Sequence, residues 1–226
     1  MCKQFIRKSI VNQIISLKRD FVQGSGKLFG SVLSTADMVE GLKAENKVYR
    51  NRFFSPVVTL QYFLFQVLSA DHSCREMVGQ KVAETIKDGL AACSSNTASY
   101  CTARKRLSLG WVMGLLRRGG EGLHEKSLRL WRGRSIKLID GTTVSMPDTP
   151  ENQQRYPQIK GQKAGIGFPI ARLVGIISLS CGAVLDIAVG PYEGKGTGEH
   201  SLLRQMLHNF KKTTWSSGID IIAAIG

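Results

Sequence analysis

Residues 135–146 read SIKLIDGTTVSM, an apolar run that ends on Asp140 and passes at once into a small, turn-prone Gly-Thr-Thr segment. Two more runs rich in Val, Ile and Leu follow, ARLVGIISLS at 171–180 and AVLDIAVGPY at 183–192. Short apolar runs bounded by Gly and Pro are typical of β-strands. The sequence therefore predicts three strands, with a carboxylate at the tip of the first apolar run.

A turn and a helix complete this part of the chain. Cys181 and Gly182 separate the second and third runs, a spacing that suits a tight hairpin, so we expect these strands to pair antiparallel. A helix is then predicted over SLLRQMLHNF, with one apolar face made of Leu202, Leu203, Met206, Leu207 and Phe210. The order strand, strand, strand, helix resembles the opening of a ribonuclease H-like domain. The predicted class is α/β, a helical N-terminal region followed by a partial mixed sheet whose later strands are missing.

The first part of the chain has a helical periodicity. Residues 3–22 place apolar side chains at helical spacing with Lys and Arg between them, which predicts a basic amphipathic helix; binding to a membrane surface is the competing interpretation. Further helices are expected over 59–69, over 75–90 and over YCTARKRLSLGWVMGLLRRGG, the last ending on Gly119 and Gly120. The pattern changes near residue 134. We therefore predict a helical region over 1–134 and a sheet-containing domain over 135–226.

Positive charge is concentrated in the predicted helical region. The formal net charge is +14 and the sequence pI is about 9.8. Residues 1–134 hold 22 Lys and Arg against 10 Asp and Glu, whereas residues 135–226 hold 9 against 7. An excess of this size favours a polyanionic partner, a nucleic acid or an anionic membrane surface, and we expect phosphate contacts. A basic surface that only keeps the protein soluble is the alternative.

Several arginines and one lysine are candidates for these phosphate contacts. The first cluster consists of Arg104, Lys105 and Arg106, although a solvated helix face fits it equally well. Secondary candidates are Arg117, Arg118, Arg132 and Arg134.

Cysteine usage and hydropathy indicate the compartment. The five cysteines are scattered and form no C-x-x-C pair, which predicts neither a zinc site nor a disulfide framework and fits a reducing cytosol. The longest charge-free stretch, SPVVTLQYFLFQVLSA, falls short of the roughly 20 apolar residues that span a bilayer. We therefore expect a cytoplasmic protein without a membrane partner.

Three ordered segments carry a family resemblance. IDGTTVSMPDT, GFPIARLVGIISLSCGAVLD and GEHSLLRQML closely resemble the IS4 family of insertion-sequence transposases. The resemblance implies that Asp140 is the first of three acidic residues, two Asp and one Glu, which hold two divalent cations, Mg²⁺ or Mn²⁺. It also implies double-stranded DNA as the substrate, through the element's terminal inverted repeats, and a homodimer or a partner transposase.

The last part of the chain departs from that family. The family has a strand ending in Asp-Arg and later a helix with a Tyr, Arg, Glu and Lys signature, and neither occurs in FKKTTWSSGIDIIAAIG. Read two nucleotides out of register, this tail is able to encode Asp-Val-Val-Leu-Gly-Asp-Arg-Tyr-Tyr, which looks like the missing strand. We therefore expect a frameshift near Lys212, an out-of-frame tail from about residue 213, and a catalytic site that is incomplete in this chain.

Two further expectations follow. The apolar segment GIDIIAAIG would occupy the open edge that a missing fourth strand leaves beside the first, and Asp148 and Asp186 would be surface or turn residues. The alternative function is that of a DNA-binding protein without catalysis, which occupies the element's ends and represses transposition.

Overall fold

The computed structural model describes residues 33–45, 49–50, 52–91, 93–127, 135–161, 163, 165–210 and 221–224. The chain forms two compact units, Met1–Leu115 and Leu116–Gly226. The boundary between the two units lies earlier in the chain than the change of sequence pattern near residue 134. The predicted helix over 3–22, the candidates Arg132 and Arg134, and the proposed frameshift at Lys212 lie outside the described residues.

Helices make up the described part of the first unit. They are α1 (Thr35–Ala44), α2 (Pro56–Leu68), α3 (Cys74–Lys87), α4 (Ala98–Lys105) and the first residues of α5 (Leu109–Lys126). Their starts follow from capping chemistry, because a serine hydroxyl at the N-cap satisfies a backbone N–H that has no helical partner. Ser34 forms a capping box with Asp37, and Ser55 and Ser73 cap α2 and α3. The predicted helical region is confirmed.

Two apolar clusters hold the first unit together, and α2 contributes to both. The first cluster contains Leu33, Met38, Leu60, Trp111 and Leu115. The second contains Phe54, Tyr62, Met77, Val78 and Tyr100. Because α2 has apolar residues on more than one face, it lies between the two clusters, as a helix that is buried on several sides must.

The single helix expected from Tyr100 to Gly120 is wrong, since α4 ends at Lys105 and α5 begins at Leu109 and continues to Lys126. A Cβ atom at Gly120 would overlap the carbonyl oxygen of Val184. This glycine therefore permits close packing against a strand instead of ending the helix.

The second unit contains the predicted strands. Its elements are β1 (Ile136–Ser145), α6 (Pro150–Arg155), β2 (Ile170–Ser178), β3 (Val184–Pro191), α7 (Glu199–Phe210) and β4 (Ile221–Ala224). The sheet order is β3-β2-β1-β4. β2 is antiparallel to β1 and to β3, and β4 is parallel to β1. The mixed α/β class is confirmed, and a short fourth strand formed by the apolar tail lies at the edge of β1.

The core of the second unit lies between the sheet and α7. It contains Ile139, Val174, Ile176, Leu185, Ala188, Leu202 and Met206. Leu202 and Met206 belong to the predicted apolar face of the helix, and both are 2% exposed. A Cβ atom at Gly190 would lie 2.9 Å from a methyl carbon of Leu202, so a glycine at this position lets α7 approach the sheet closely.

Polar groups are also buried in the second unit, and one of them corrects an expectation. Asp186 is 3% exposed on β3, whereas the sequence predicted a surface or turn residue. Its Oδ1 lies 2.9 Å from the guanidinium Nε of Arg117 on α5, and this ion pair compensates the buried charge. His124 bonds to the hydroxyls of Ser178 at 2.7 Å and Ser135 at 3.2 Å. Asp186 and His124 are thus each buried together with a polar partner from another part of the sequence.

No helix of the described part of the chain is both long and apolar enough to cross a bilayer.

Candidate functional site

Asp140 lies where the resemblance would place a catalytic carboxylate. It follows the buried residue Ile139 on β1 and is itself exposed. Successive side chains of a strand point to opposite faces, so Asp140 lies on the face away from Ile139. Gly175 is its partner on β2, and its Oδ1 accepts a 2.9 Å hydrogen bond from the backbone N–H of Gly141. The carboxylate is therefore exposed and open to a ligand.

A second carboxylate comes close to the same stretch of β1. A Cβ atom at Gly141 would lie 2.6 Å from the carboxyl carbon of Glu199, the first residue of α7. The absence of a side chain at Gly141 is what lets Glu199 reach the strand. Because side chains alternate along a strand, Gly141 and Ile139 share a face, so Glu199 approaches β1 from the side opposite to Asp140 and the two carboxylates are not brought together.

The remaining acidic groups do not complete a metal centre. Asp148 is exposed, as expected, and accepts a 2.8 Å hydrogen bond from Gln153. Asp186 is held by Arg117. Within the described ranges, no three His, Cys, Asp or Glu residues are grouped so that they could hold a metal ion. A site for two Mg²⁺ or Mn²⁺ ions needs several oxygen ligands around each ion, so the described residues do not fit it.

Arg104, a leading candidate for phosphate contact, is turned toward the interior of the helical unit. Its Nη1 donates to Gln66 Oε1 at 3.2 Å and to Cys74 Sγ at 3.3 Å. Its guanidinium carbon lies 4.7 Å from the ring centroid of Phe63. These contacts use both the donors and the planar face of the guanidinium for packing.

The other basic candidates differ in their surroundings. Lys105 and Arg106 follow Arg104 in the chain, and both are exposed. Arg117 is committed to Asp186, and Arg118 also interacts with another group. Lys105 and Arg106 therefore remain predictions for phosphate contact.

Two tyrosines in the helical unit are buried in a way that favours their neutral form. Burial and a hydrogen bond donated to Glu84 raise the pKa of Tyr62 far above its ordinary value of 10.0. Burial also raises the pKa of Tyr100 to about 12, although nearby Arg104 opposes the shift. Tyr100 donates a 3.0 Å hydrogen bond to Gln66, so both hydroxyls are satisfied without ionisation.

In comparisons with known proteins, the chain matches no family model, and no curated protein and no solved structure is significantly similar to it.

Proposed function

We propose that this chain is a transposase-family protein that binds double-stranded DNA at the terminal inverted repeats of an insertion sequence. The single observation that carries the proposal is the position of Asp140, exposed on β1 in a sheet of order β3-β2-β1-β4. The resemblance of the flanking segments assigns to this residue the role of first metal-binding carboxylate. The excess of basic residues in the N-terminal region supports an anionic partner.

The proposal assigns DNA binding, and not strand cleavage, to this chain alone. In the intact family the divalent cations activate the attacking oxygen and stabilise the leaving oxygen. Asp140 would supply one ligand for such an ion, but the described residues do not bring three ligands together. Cleavage and strand transfer would therefore require carboxylates from a partner transposase. We place this activity in the cytoplasm, at the nucleoid.

The alternative is a repressor of transposition, which binds the same DNA ends and blocks an intact transposase. The incomplete ligand set among the described residues favours this second function, because a chain that occupies the ends without cutting them competes with one that cuts.

A binding and cleavage assay tests the proposal. The purified chain is mixed with a duplex carrying the repeats that flank its gene, and with a scrambled duplex of equal length and composition. We expect tighter binding to the repeats, no strand cleavage in Mg²⁺ or Mn²⁺, and unchanged affinity for Asp140→Asn. Equal affinity for both duplexes over a range of salt concentrations would overturn the proposal.

A second assay distinguishes a repressor from a chain that takes part in transposition. An intact transposase from the same element is assayed for excision with and without this chain. Dose-dependent loss of excision supports the repressor. Increased excision instead supports a chain that assembles with its partner.

A further inference from the structure

A cleft of about 620 Å³ opens on the surface of the helical unit. One wall is the segment before α2 together with the start of that helix, and the other is the outer side of α4. Its size lies within the range of about 300–1,000 Å³ that is usual for ligand sites.

Three arginines line this cleft, namely Arg50, Arg52 and Arg106, and all three are exposed. No Asp or Glu is among the described residues that line it. Within the part of the chain that the structure describes, none of these arginines is within ion-pair distance of a carboxylate. Like charges that share a concave surface raise the local positive potential, and an anion would relieve their repulsion.

The polar wall of the cleft adds hydrogen-bond donors for an anion. Ala98 and Ser99, in the first turn of α4, face it, although the backbone N–H of Ala98 already donates to Asn96 Oδ1 at 2.8 Å. The start of a helix carries a partial positive charge that favours phosphate groups. The hydroxyls of Ser94, Ser99 and Thr102 also line this wall.

The opposite wall is aromatic. Tyr49 and Phe53 line it, and both are half-buried. Phe53 packs edge-on against Phe54, with ring centroids 5.0 Å apart, and the Tyr49 hydroxyl donates to Glu45 at 3.2 Å. These contacts hold the rings in place, and fixed aromatic surfaces suit the apolar faces of sugars and bases.

We propose that this cleft binds the sugar-phosphate backbone of DNA. Arg50, Arg52 and Arg106 contact phosphate oxygens, and the rings of Tyr49 and Phe53 contact the adjoining sugars. The inference rests on the proposed function and adds the site of contact to it. It replaces the run of Arg104, Lys105 and Arg106 with a surface that joins two distant segments of the chain, because Arg104 is already bonded in the interior.

Matched triple variants test the cleft. The first combines Arg50→Ala, Arg52→Ala and Arg106→Ala. The control combines Lys43→Ala, Arg75→Ala and Lys87→Ala, which removes the same charge from exposed positions outside the cleft. Affinity for a duplex is measured between about 0.05 and about 0.5 M salt, because the slope of log K against log salt is negative and each lost phosphate contact reduces its magnitude by about 0.9.

We expect the cleft variant to bind the duplex about a hundredfold less tightly at about 0.1 M salt. The magnitude of the slope of log K against log salt should fall by roughly 2 to 3. The control should change the slope by less than about 1. Helical circular dichroism of each variant verifies that it is folded. Equal losses in the two variants would overturn the cleft assignment, since total charge would then account for binding.

Cys93 supplies a readout that does not depend on removing charge, because it lines the cleft and is half-buried. In unmodified protein, the rate of Cys93 alkylation is followed by mass spectrometry with and without DNA. Protection of Cys93 with unchanged labelling of the exposed Cys181 supports the cleft. Tight DNA binding without protection of Cys93 overturns the cleft but leaves the proposed function intact, whereas absence of DNA binding overturns both.

Discussion

Arginine has opposite uses in the two units of this protein. In the helical unit, Arg50, Arg52 and Arg106 line an open cleft that has no described carboxylate in its lining. In the sheet unit, Arg117 lies 2.9 Å from Asp186, whose side chain is 4% exposed. The cleft arginines and Arg117 belong to the same basic chain, so the net charge alone does not predict which of them is free to bind an anion. What separates them is whether a carboxylate partner is present, and removing individual side chains tests that difference.

Arg117→Ala should have the largest effect on stability. It leaves the buried Asp186 carboxylate with the backbone N–H of Ile187 but without its half-exposed cation, so we expect the free energy of unfolding of the sheet unit to fall by about 2 kcal/mol. Amide hydrogen exchange along β3 measures this loss for the sheet unit by itself. Arg204→Ala on α7 is the control, because this arginine is exposed, and its effect should stay below about 0.5 kcal/mol.

A double variant makes this test sharper. Arg117→Leu combined with Asp186→Leu replaces both charges with apolar groups, and it should recover most of the lost stability. If Arg117→Ala and Arg204→Ala prove equally mild, the ion pair contributes nothing, and the contrast between the two units is lost.

Arg104→Ala should have an intermediate effect on stability. It tests whether Arg104, unlike the arginines of the cleft, serves the packing of the helical unit. The substitution removes hydrogen bonds to Gln66 and Cys74 and the contact with Phe63, so we expect a loss of about 1–2 kcal/mol in unfolding free energy. Arg106→Ala should change stability by less than about 0.5 kcal/mol. Urea unfolding followed by circular dichroism compares the two. A larger loss for Arg106 than for Arg104 would contradict the division.

The smallest effect concerns tyrosine ionisation in the helical unit. The pKa of Tyr62 is raised in the folded state, so the unfolded chain releases this proton first as the pH rises. The stability that depends on neutral Tyr62 is fully present below pH 10. At about pH 11, the upper end of the measured range, stability should be lower by no more than about 1.4 kcal/mol.

Tyr62→Phe should remove this part of the alkaline sensitivity, and the remainder should come from Tyr100, Cys101 and Tyr49, whose pKa values are also raised. Thermal melts between pH 8 and about 11 measure the slope for each protein. An identical slope in the wild type and in Tyr62→Phe would show that Tyr62 does not oppose ionisation in the fold.

Much of the fold could be predicted from the sequence, because local periodicity and turn chemistry determine it. The three apolar runs and the Cys181–Gly182 turn indicated β1, β2 and β3, and the apolar face of α7 was visible at Leu202 and Met206. The side-chain partners could not be predicted in this way. Arg117 and Asp186 are 69 positions apart, and Arg104 and Gln66 are 38 apart.

The residues of the candidate site also differ in whether a local sequence signal or a tertiary contact reveals them. Asp140 was singled out because a carboxylate after an apolar run is a local signal, although β1 continues beyond it to Ser145. The arginine cleft depends on tertiary approach. Arg50 and Arg52 are single cations in an unremarkable segment of sequence, and only the packing of α2 and α4 brings them to the same cleft as Arg106.

The pairing of β4 with β1 has a consequence for how the protein is made. The hairpin pairs Ile177 with Val184, so it should close within about 1–10 μs of being released. The β1–β4 pair joins Ile136 to Ile221, and its loop-closure cost is larger. On the ribosome, the edge of β1 would stay uncovered until residues 221–224 had emerged. An uncovered strand edge is a template for pairing with another chain, so in that interval the nascent protein is exposed to mispairing with its neighbours.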